Sequence, residues 1–311
     1  MNIIEASRLV KKYKNTVAVD GIDLTVKEGE IFGLLGPNGA GKSTFIGTLV
    51  GTLQVTEGSV RIFDKDISKE SAAIKKDMGY VPQDLAFFEK LSAYDNVLYW
   101  GRLYGLRGSE LKKAAQEALE FTGLWDRRKE QSEKFSGGMK RRLNIACAIV
   151  HKPKLLFMDE PTVGVDPQSR NNILDTIKDL NRNGTTVIYT SHYMEEVEAI
   201  CDRVGIMDFG KIIALGTIDE LISAHVTDEC AIIEVEDIDL QTIEAIKRIE
   251  GVNSCEREDK VLTLHVNPGM ITMMQLLEKL IAKKLNIQAV NIEKPNLETV
   301  FLMLTGKKLR D

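Results

Sequence analysis

No stretch of this 311-residue chain approaches the roughly 18 consecutive apolar residues of a membrane-crossing helix, so the sequence predicts no span. The opening MNIIEASRLVKKYKN has no apolar core of the kind a secretory leader carries, and no leader is expected. Cysteine is scarce: Cys147, Cys201, Cys230 and Cys255 fall at irregular spacings without a C-x-x-C pair. That argues against a disulfide scaffold and fits a reducing cytoplasm. An excess of positive charge is also missing. Against 46 Asp and Glu there are 41 Lys and Arg, for a formal net charge of -5. A general nucleic-acid binder normally presents a basic face, so no nucleic-acid partner is expected. A single anionic ligand remains compatible with the charge. Internal repeats and low-complexity tracts are absent as well. What is present suffices for a core: 43% of residues are hydrophobic, and the length favours two domains over one.

Four apolar runs, Ile31–Leu35, Leu155–Met158, Val187–Thr190 and Val204–Met207, read as strands buried on both faces, where alternation is lost. Helical stretches between them predict an α/β layered domain with a mainly parallel sheet. Ahead of the first run, Glu5–Val10 and Val17–Val26 alternate around the turn residues Asp20-Gly21, which predicts a small antiparallel portion. From about 91 to 150 the strand signal gives way to a helical insert. Ser92 is placed to cap one helix running through Tyr104, and Ser109 another that stops at Gly123. Beyond about residue 222 the texture changes again. Cys230–Val235, Leu240–Ile249, Val252–Glu256, Val261–Val266, Ile271–Lys284 and Ile287–Ile292 read as β-α-β-β-α-β, the ferredoxin-like order, followed by a helix at Leu297–Leu304. The expected boundaries are therefore 1–222 and 223–311.

The densest chemistry lies at Gly36-Pro37-Asn38-Gly39-Ala40-Gly41-Lys42-Ser43, which matches G-x-x-x-x-G-K-[ST] at every position between an apolar strand and the helix Thr44–Val50. Backbone N–H groups of such a loop and the helix N-terminus cradle phosphate oxygens. Lys42 is placed to reach the β- and γ-phosphates, and the Ser43 hydroxyl to take a position on Mg²⁺. The strand Leu155–Met158 ends in Asp159-Glu160. At the carboxyl end of a parallel strand both acids lie beside the phosphate loop. Asp159 suits Mg²⁺ held through water, and Glu160 a general base on the attacking water. Thr190-Ser191-His192 closes another apolar strand, which makes His192 a candidate γ-phosphate contact.

Phe135-Ser136-Gly137-Gly138-Met139-Lys140-Arg141-Arg142 resembles the LSGGQ signature of ATP-binding cassette (ABC) ATPases, with Phe for Leu and Met for Gln. Ser136 is placed to cap the helix Met139–His151, offering a second helix N-terminus to an anion. The resemblance spans about residues 3–220. It implies that Tyr13 stacks on adenine, that Gln83 senses Mg²⁺ and the transmembrane partner, and that Asp166 in Gly164-Val165-Asp166-Pro167 belongs to a loop crossing between subunits. It further implies ATP and Mg²⁺ as ligands, with Thr44 beside the phosphates. The working form would be a dimer with a second copy or a paralogous ATPase, in which Ser136, Gly137 and Gly138 act on the partner's ATP. The implied fold is a P-loop NTPase core with an antiparallel β portion and helical insert, plus a small C-terminal α+β domain.

With no span of its own, such a chain would serve separate transmembrane permease subunits, docked near Gln83 and the insert, on the cytoplasmic face of the membrane. The aromatic run Tyr94–Tyr104 reads equally as core or as the wall of that docking groove. The tail Pro295–Phe301 resembles the ABC-2 type drug- and ion-exporting subfamily, so export is the leading expectation. A soluble ABC regulator of ribosomes or nucleic acid is a second class, although neither a second cassette nor a long coiled coil is present. A ligand-sensing role for the C-terminal unit is a third. Lys140-Arg141-Arg142 is expected to be a solvated helix face. His225, Cys230, Cys255 and His265 are too irregularly spaced to predict a metal site.

Overall fold

A computed structural model of the chain describes residues 1–226, 228–283, 285–293 and 295–306. Positions 227, 284, 294 and 307–311 of the expected 223–311 segment lie outside them. The chain divides into two compact units, with the break between Ile218 and Asp219.

The first unit opens with β1 (Asn2–Tyr13), β2 (Thr16–Lys27), β3 (Ile31–Leu35), α1 (Lys42–Val50), β4 (Glu57–Ile62), β5 (Lys65–Asp66), α2 (Ile67–Lys75) and β6 (Met78–Val81). The helical insert follows as α3 (Ala93–Leu103), α4 (Gly108–Phe121) and α5 (Gly137–Ile149). The chain then alternates through β7 (Leu155–Asp159), α6 (Pro167–Arg182), β8 (Thr186–Thr190), α7 (Met194–Ile200), β9 (Arg203–Asp208) and β10 (Lys211–Gly216), and α8 (Ile218–His225) begins at the break and belongs to the second unit. One sheet has the order β10-β9-β3-β8-β7-β6 and is parallel except for β10. A second, antiparallel sheet has the order β2-β1-β4-β5. Strands β3, β7 and β8 are buried along their whole length, as their unbroken apolar runs require.

Helix α1 is the middle layer. It touches β1, β2 and β7, and Phe45, Ile46, Gly47, Thr48, Leu49 and Val50 are all buried. A helix enclosed on every side needs no polar face. Each of Phe45, Ile46 and Leu49 contributes roughly 1.5–3 kcal/mol by burial, which fixes the phosphate-loop helix in the core with Leu9, Leu24, Val60 and Phe157.

Three local expectations are corrected. Asp20-Gly21 does not turn the chain; β2 runs straight through it, and the register slips between Leu9↔Ile22 and Lys11↔Val19. Gly21, at φ +67°, absorbs a β-bulge there, and the hairpin turns at Lys14-Asn15 instead. Ser109 lies inside the first turn of α4, whose N-cap is Arg107 without a side-chain cap bond. Ser92 does cap α3, accepting from the Asp95 N–H. Nor is Lys140-Arg141-Arg142 a solvated face. Lys140 pairs with Glu89 at 2.6 Å, and Arg142 Nη1 donates to the carbonyls of Thr122 and Gly123.

His151, just past α5, joins the insert to the sheet. Its ring stacks on Tyr104 with centroids 3.5 Å apart, and Nε2 lies 3.0 Å from the Met78 carbonyl. Burial pushes its imidazole down from 6.5 to about 4. The folded chain thus resists a proton that the unfolded chain accepts, so this neutral ring contributes stability above pH 6.5 that is lost as the pH falls toward 4. The linkage is worth up to about 3 kcal/mol. We expect the melting temperature of the parent to drop more between pH 7 and pH 5 than that of His151→Gln, measured by calorimetry; equal slopes would contradict a buried neutral ring.

The second unit contains β11 (Glu229–Val235), α9 (Leu240–Lys247), β12 (Val252–Glu258), β13 (Val261–Val266), α10 (Met273–Ala282), β14 (Ile287–Glu293) and α11 (Leu297–Thr305). Its sheet order, β12-β13-β11-β14, is antiparallel throughout and matches the ferredoxin-like expectation. Ile233, Val235, Ile246, Leu264 and Leu276 centre its core. Cys255 lies within that core, while Cys230 and His265 face each other across β11 and β13. Among the described residues no group of three or more His, Cys, Asp and Glu is arranged to hold a metal ion.

Candidate functional site

Between β3 and α1 the chain makes the phosphate loop. Gly41 sits at φ +102°, and a Cβ there would come within 2.3 Å of the Ala18 carbonyl. Only glycine permits both the left-handed turn and the close approach of β2. A cleft of about 570 Å³ opens here, lined by Asn38, Gly39, Gly41, Lys42, Ser43 and Thr44 together with Gln83 and Glu160. Gly36, Pro37 and Ala40 shape the loop behind it. Lys42 is buried, and its Nζ donates to the carbonyls of Gly36 (2.7 Å) and Pro37 (3.1 Å). Burial lowers its pKa, while the nearby carboxylates of Glu160 and Asp159 push it the other way.

The opposite wall is built from strand ends. Asp159 closes β7 and accepts from Thr190 Oγ1 at 2.6 Å. Glu160 follows at φ +48°, a left-handed conformation uncommon outside glycine. Its N–H donates to Thr190 Oγ1 (2.9 Å), and its Oε2 accepts from Gln83 Nε2 (2.9 Å). His192 Nδ1 lies 3.6 Å from Glu160 Oε1. Three residues from three separate segments, Gln83, Glu160 and His192, are thereby brought within reach of one another beside the loop that carries Lys42 and Ser43.

Signature residues gather elsewhere. Ser136 caps α5, its Oγ accepting from the Met139 N–H at 3.3 Å. A Cβ on Gly138 would strike Ser169 Oγ at 2.2 Å, so the start of α5 lies flush against the start of α6. Asp166 caps α6 through the Ser169 N–H at 2.9 Å, and its bonds to Ser169 hold its carboxyl below the ordinary carboxylate range. Ser136, Gly137, Gly138 and Asp166 are not among the residues lining the cleft. Neither is Tyr13, which is 42% exposed, with Lys11 Nζ 5.0 Å from its ring centre.

Several contributors escaped the sequence reading. Thr16, Val17, Ala18, Phe209 and Gly210 complete the cleft lining. Phe209, in the β9–β10 turn, is 77% exposed at φ +44°. Arg141 reaches from α5 to the carbonyls of Gln83 and Val163, tying the insert to the loops on both sides of Glu160. A strand-to-strand Phe-Gly turn and a second basic residue after S-G-G were the available signals.

Comparison with known proteins agrees with this geometry. Residues 19–163 match the ABC transporter family, and residues 216–305 match the C-terminal domain of ATP-binding protein DrrA1-3-like chains. The linearmycin resistance ATP-binding protein LnrL of Bacillus subtilis (strain 168) is 45% identical over 99% of this chain and 100% of its own. This chain belongs to the ABC transporter ATP-binding family. The daunorubicin/doxorubicin resistance ATP-binding protein DrrA of Streptomyces peucetius is 36% identical over 99% of this chain and 94% of its own. Among solved structures, the ABC subunit resembles a dimeric ATP-binding cassette in a post-hydrolysis state bound to ADP and Pi. The TM-score is 0.64 at 26% identity, covering 69% of this chain and 98% of that one. It also resembles cbiO1 of Clostridium perfringens, part of the ABC transporter complex cbiONQ, with TM-score 0.67 at 28% identity over 80% and 96% of the chains. The chain is an ABC ATPase that binds nucleotide, from a family that dimerises and works with transmembrane permeases. No helix among its described residues is long and apolar enough to cross a membrane.

Proposed function

We propose that this ABC ATPase energises export through a separate permease, by closing as a dimer over two ATP molecules. The observation that carries the hydrolytic part is the convergence of Gln83, Glu160 and His192 beside the Lys42 loop. Glu160 acts as general base, drawing a proton from the attacking water while Gln83 fixes its second oxygen. General-base action of this kind is worth about 10²–10⁴ in rate. Lys42 exchanges its bonds to the Gly36 and Pro37 carbonyls for phosphate oxygens, and His192 contacts the γ-phosphate. Backbone N–H groups of 38–44 and the α1 N-terminus hold the remaining phosphate charge. Tyr13 contributes the adenine contact, with Thr16 and Val17 at the cleft edge.

The oxygens of Ser43, Gln83 and Asp159 form a hard donor set suited to Mg²⁺, with Asp159 acting through water. Bound there, the ion would neutralise charge on the phosphates. Asp159 is held for that role by Thr190. Ser136, Gly137 and Gly138 complete the partner's site, the partner being a second copy or a paralogous ATPase, and Asp166 lies in the loop between the two. Residues 1–222 form the cassette and 223–311 an accessory domain that stabilises the dimer or regulates turnover.

Export is supported by the names of full-length relatives, which include Nod factor export ATP-binding protein I of Cupriavidus pinatubonensis, 35% identical over 99% of this chain and 92% of its own. A permease surface is supported by α3. Its Ala93, Val97 and Gly101 face inward, whereas Tyr99 turns outward and packs edge-on against Phe88 at 4.9 Å. Leu85, Phe88 and Leu91, which follow Gln83 in the chain, are exposed, as are Tyr99 and Leu103 one turn apart on α3. Such apolar exposure suits a contact surface and supports a place for the ATPase on the cytoplasmic face of the membrane. The parent chain should co-purify from membranes with a multi-spanning protein, and Phe88→Asp with Leu91→Asp should abolish recovery without abolishing nucleotide binding. Failure of the parent to recover any multi-spanning partner would overturn the export reading.

A further inference from the structure

Behind His192 lies a buried acid that neither the hydrolytic reading nor the sequence motifs employ. Glu196, on α7, is 2% exposed. Its Oε2 accepts three hydroxyl donors, from Tyr189 (2.7 Å), Ser191 (2.7 Å) and Thr162 (2.9 Å). Its Oε1 lies 3.3 Å from Arg170 Nε, on the first turn of α6. We propose that the Glu196–Arg170 pair is a positioning clamp, which holds His192 against Glu160 and ties that contact to the start of α6.

The connections run through neighbours on both sides. Ser191 directly precedes His192, and its Oγ, held by Glu196, also accepts from the Tyr193 N–H at 2.9 Å. The turn carrying His192 is thereby fixed at both flanks. Thr162 stands two residues beyond Glu160, so the same carboxylate oxygen holds the second catalytic loop. Arg170 then covers the outer side: its guanidinium lies 4.3 Å from the Tyr193 ring centre, and that ring is 4.2 Å from the His192 ring. At its other end, Arg170 adjoins Ser169, the residue packed against Gly138. One turn of α6 therefore touches the signature helix on one side and the His192 support on the other. Buried ion pairs add little net stability but are well suited to fixing one arrangement among several. In a dimer, Gly138 and His192 serve different ATP molecules, so the clamp joins the two sites within one subunit.

This inference rests on the roles given above to Glu160 and His192. Its test is a double-mutant cycle on steady-state ATP turnover by the purified full chain, reading kcat and the KM for ATP separately. Glu196→Gln keeps the shape but loses the charge, and should lower kcat at least tenfold with KM within threefold of the parent. Arg170→Met should act in the same direction. The double variant should be no slower than the slower single within twofold, as expected for residues acting as one unit. Arg170 is 25% exposed, so Arg170→Met carries the test if Glu196→Gln does not fold. A folded single variant with kcat within twofold of the parent, an effect confined to KM, or single effects that multiply would each overturn the clamp. His192→Ala separates the two levels. Parental turnover in that variant would overturn the site reading itself, whereas its loss beside an unaffected Glu196→Gln would overturn the clamp alone.

Discussion

Glu160→Gln should reduce ATP turnover by about 10²–10⁴ while leaving nucleotide binding intact, and the ATP-loaded variant should accumulate as a dimer on size exclusion. The substitution is close to isosteric. Glutamine tolerates the φ of +48° at this position as well as glutamate does, and the backbone bonds to Thr190 are independent of the side chain. Only the proton acceptor is lost. Lys42 loses one of the two carboxylates that favour its charged form, but Asp159 remains. Grip on the phosphates is therefore preserved while the step that consumes them is blocked, and a closed dimer outlives its normal release. Turnover within about threefold of the parent would remove Glu160 from the role of base, because no general base contributes so little.

Lys42→Met should instead weaken binding and turnover together. The buried ammonium makes two hydrogen bonds to loop carbonyls, and a methionine makes neither. Hydrogen bonds from charged groups contribute about 1.5–3 kcal/mol each, so ATP affinity should fall by roughly 10–100-fold for a single lost phosphate contact. Turnover should fall by at least about 10²–10³, the usual effect of removing one donor aimed at transition-state charge. Thermal shift offers a direct check. A ligand at 100 times its Kd stabilises the folded chain by about 2.7 kcal/mol. The parent and Glu160→Gln should both show that ATP-dependent shift, and Lys42→Met should not. A full shift in Lys42→Met would remove Lys42 from the phosphate contact.

The phosphate loop was legible because its chemistry is written in eight consecutive residues, and a strand-to-helix loop has few ways to place them. The buried strands β3, β7 and β8 were equally plain, since β3 coincides with one apolar run and β7 and β8 each extend one by a single residue. The ferredoxin-like order was readable from the period changes along the second unit. Asp20-Gly21 misled because a turn and a bulge both call for glycine at positive φ, and only the pairing of β1 with β2 distinguishes them. Ser109 misled because Gly108, at φ +54°, starts the helix two residues early. Arg141 and Arg170 were hidden for a different reason. Their partners lie at Gln83, Val163 and Glu196, distant in sequence, so nothing in a local window separates them from surface cations. Long-range polar pairs of this kind carry no periodicity, and composition alone cannot reveal them.

The core around α1 draws residues from 3–78 and 155–207 and none from the insert between 91 and 150. The helix that grips the nucleotide is therefore seated without side chains from the part that carries Tyr99 and Leu103. Substitutions can accumulate across α3 and α4 without loosening the phosphate loop. The permease-facing side of α3 can therefore be altered while the core that seats the phosphate loop keeps its packing.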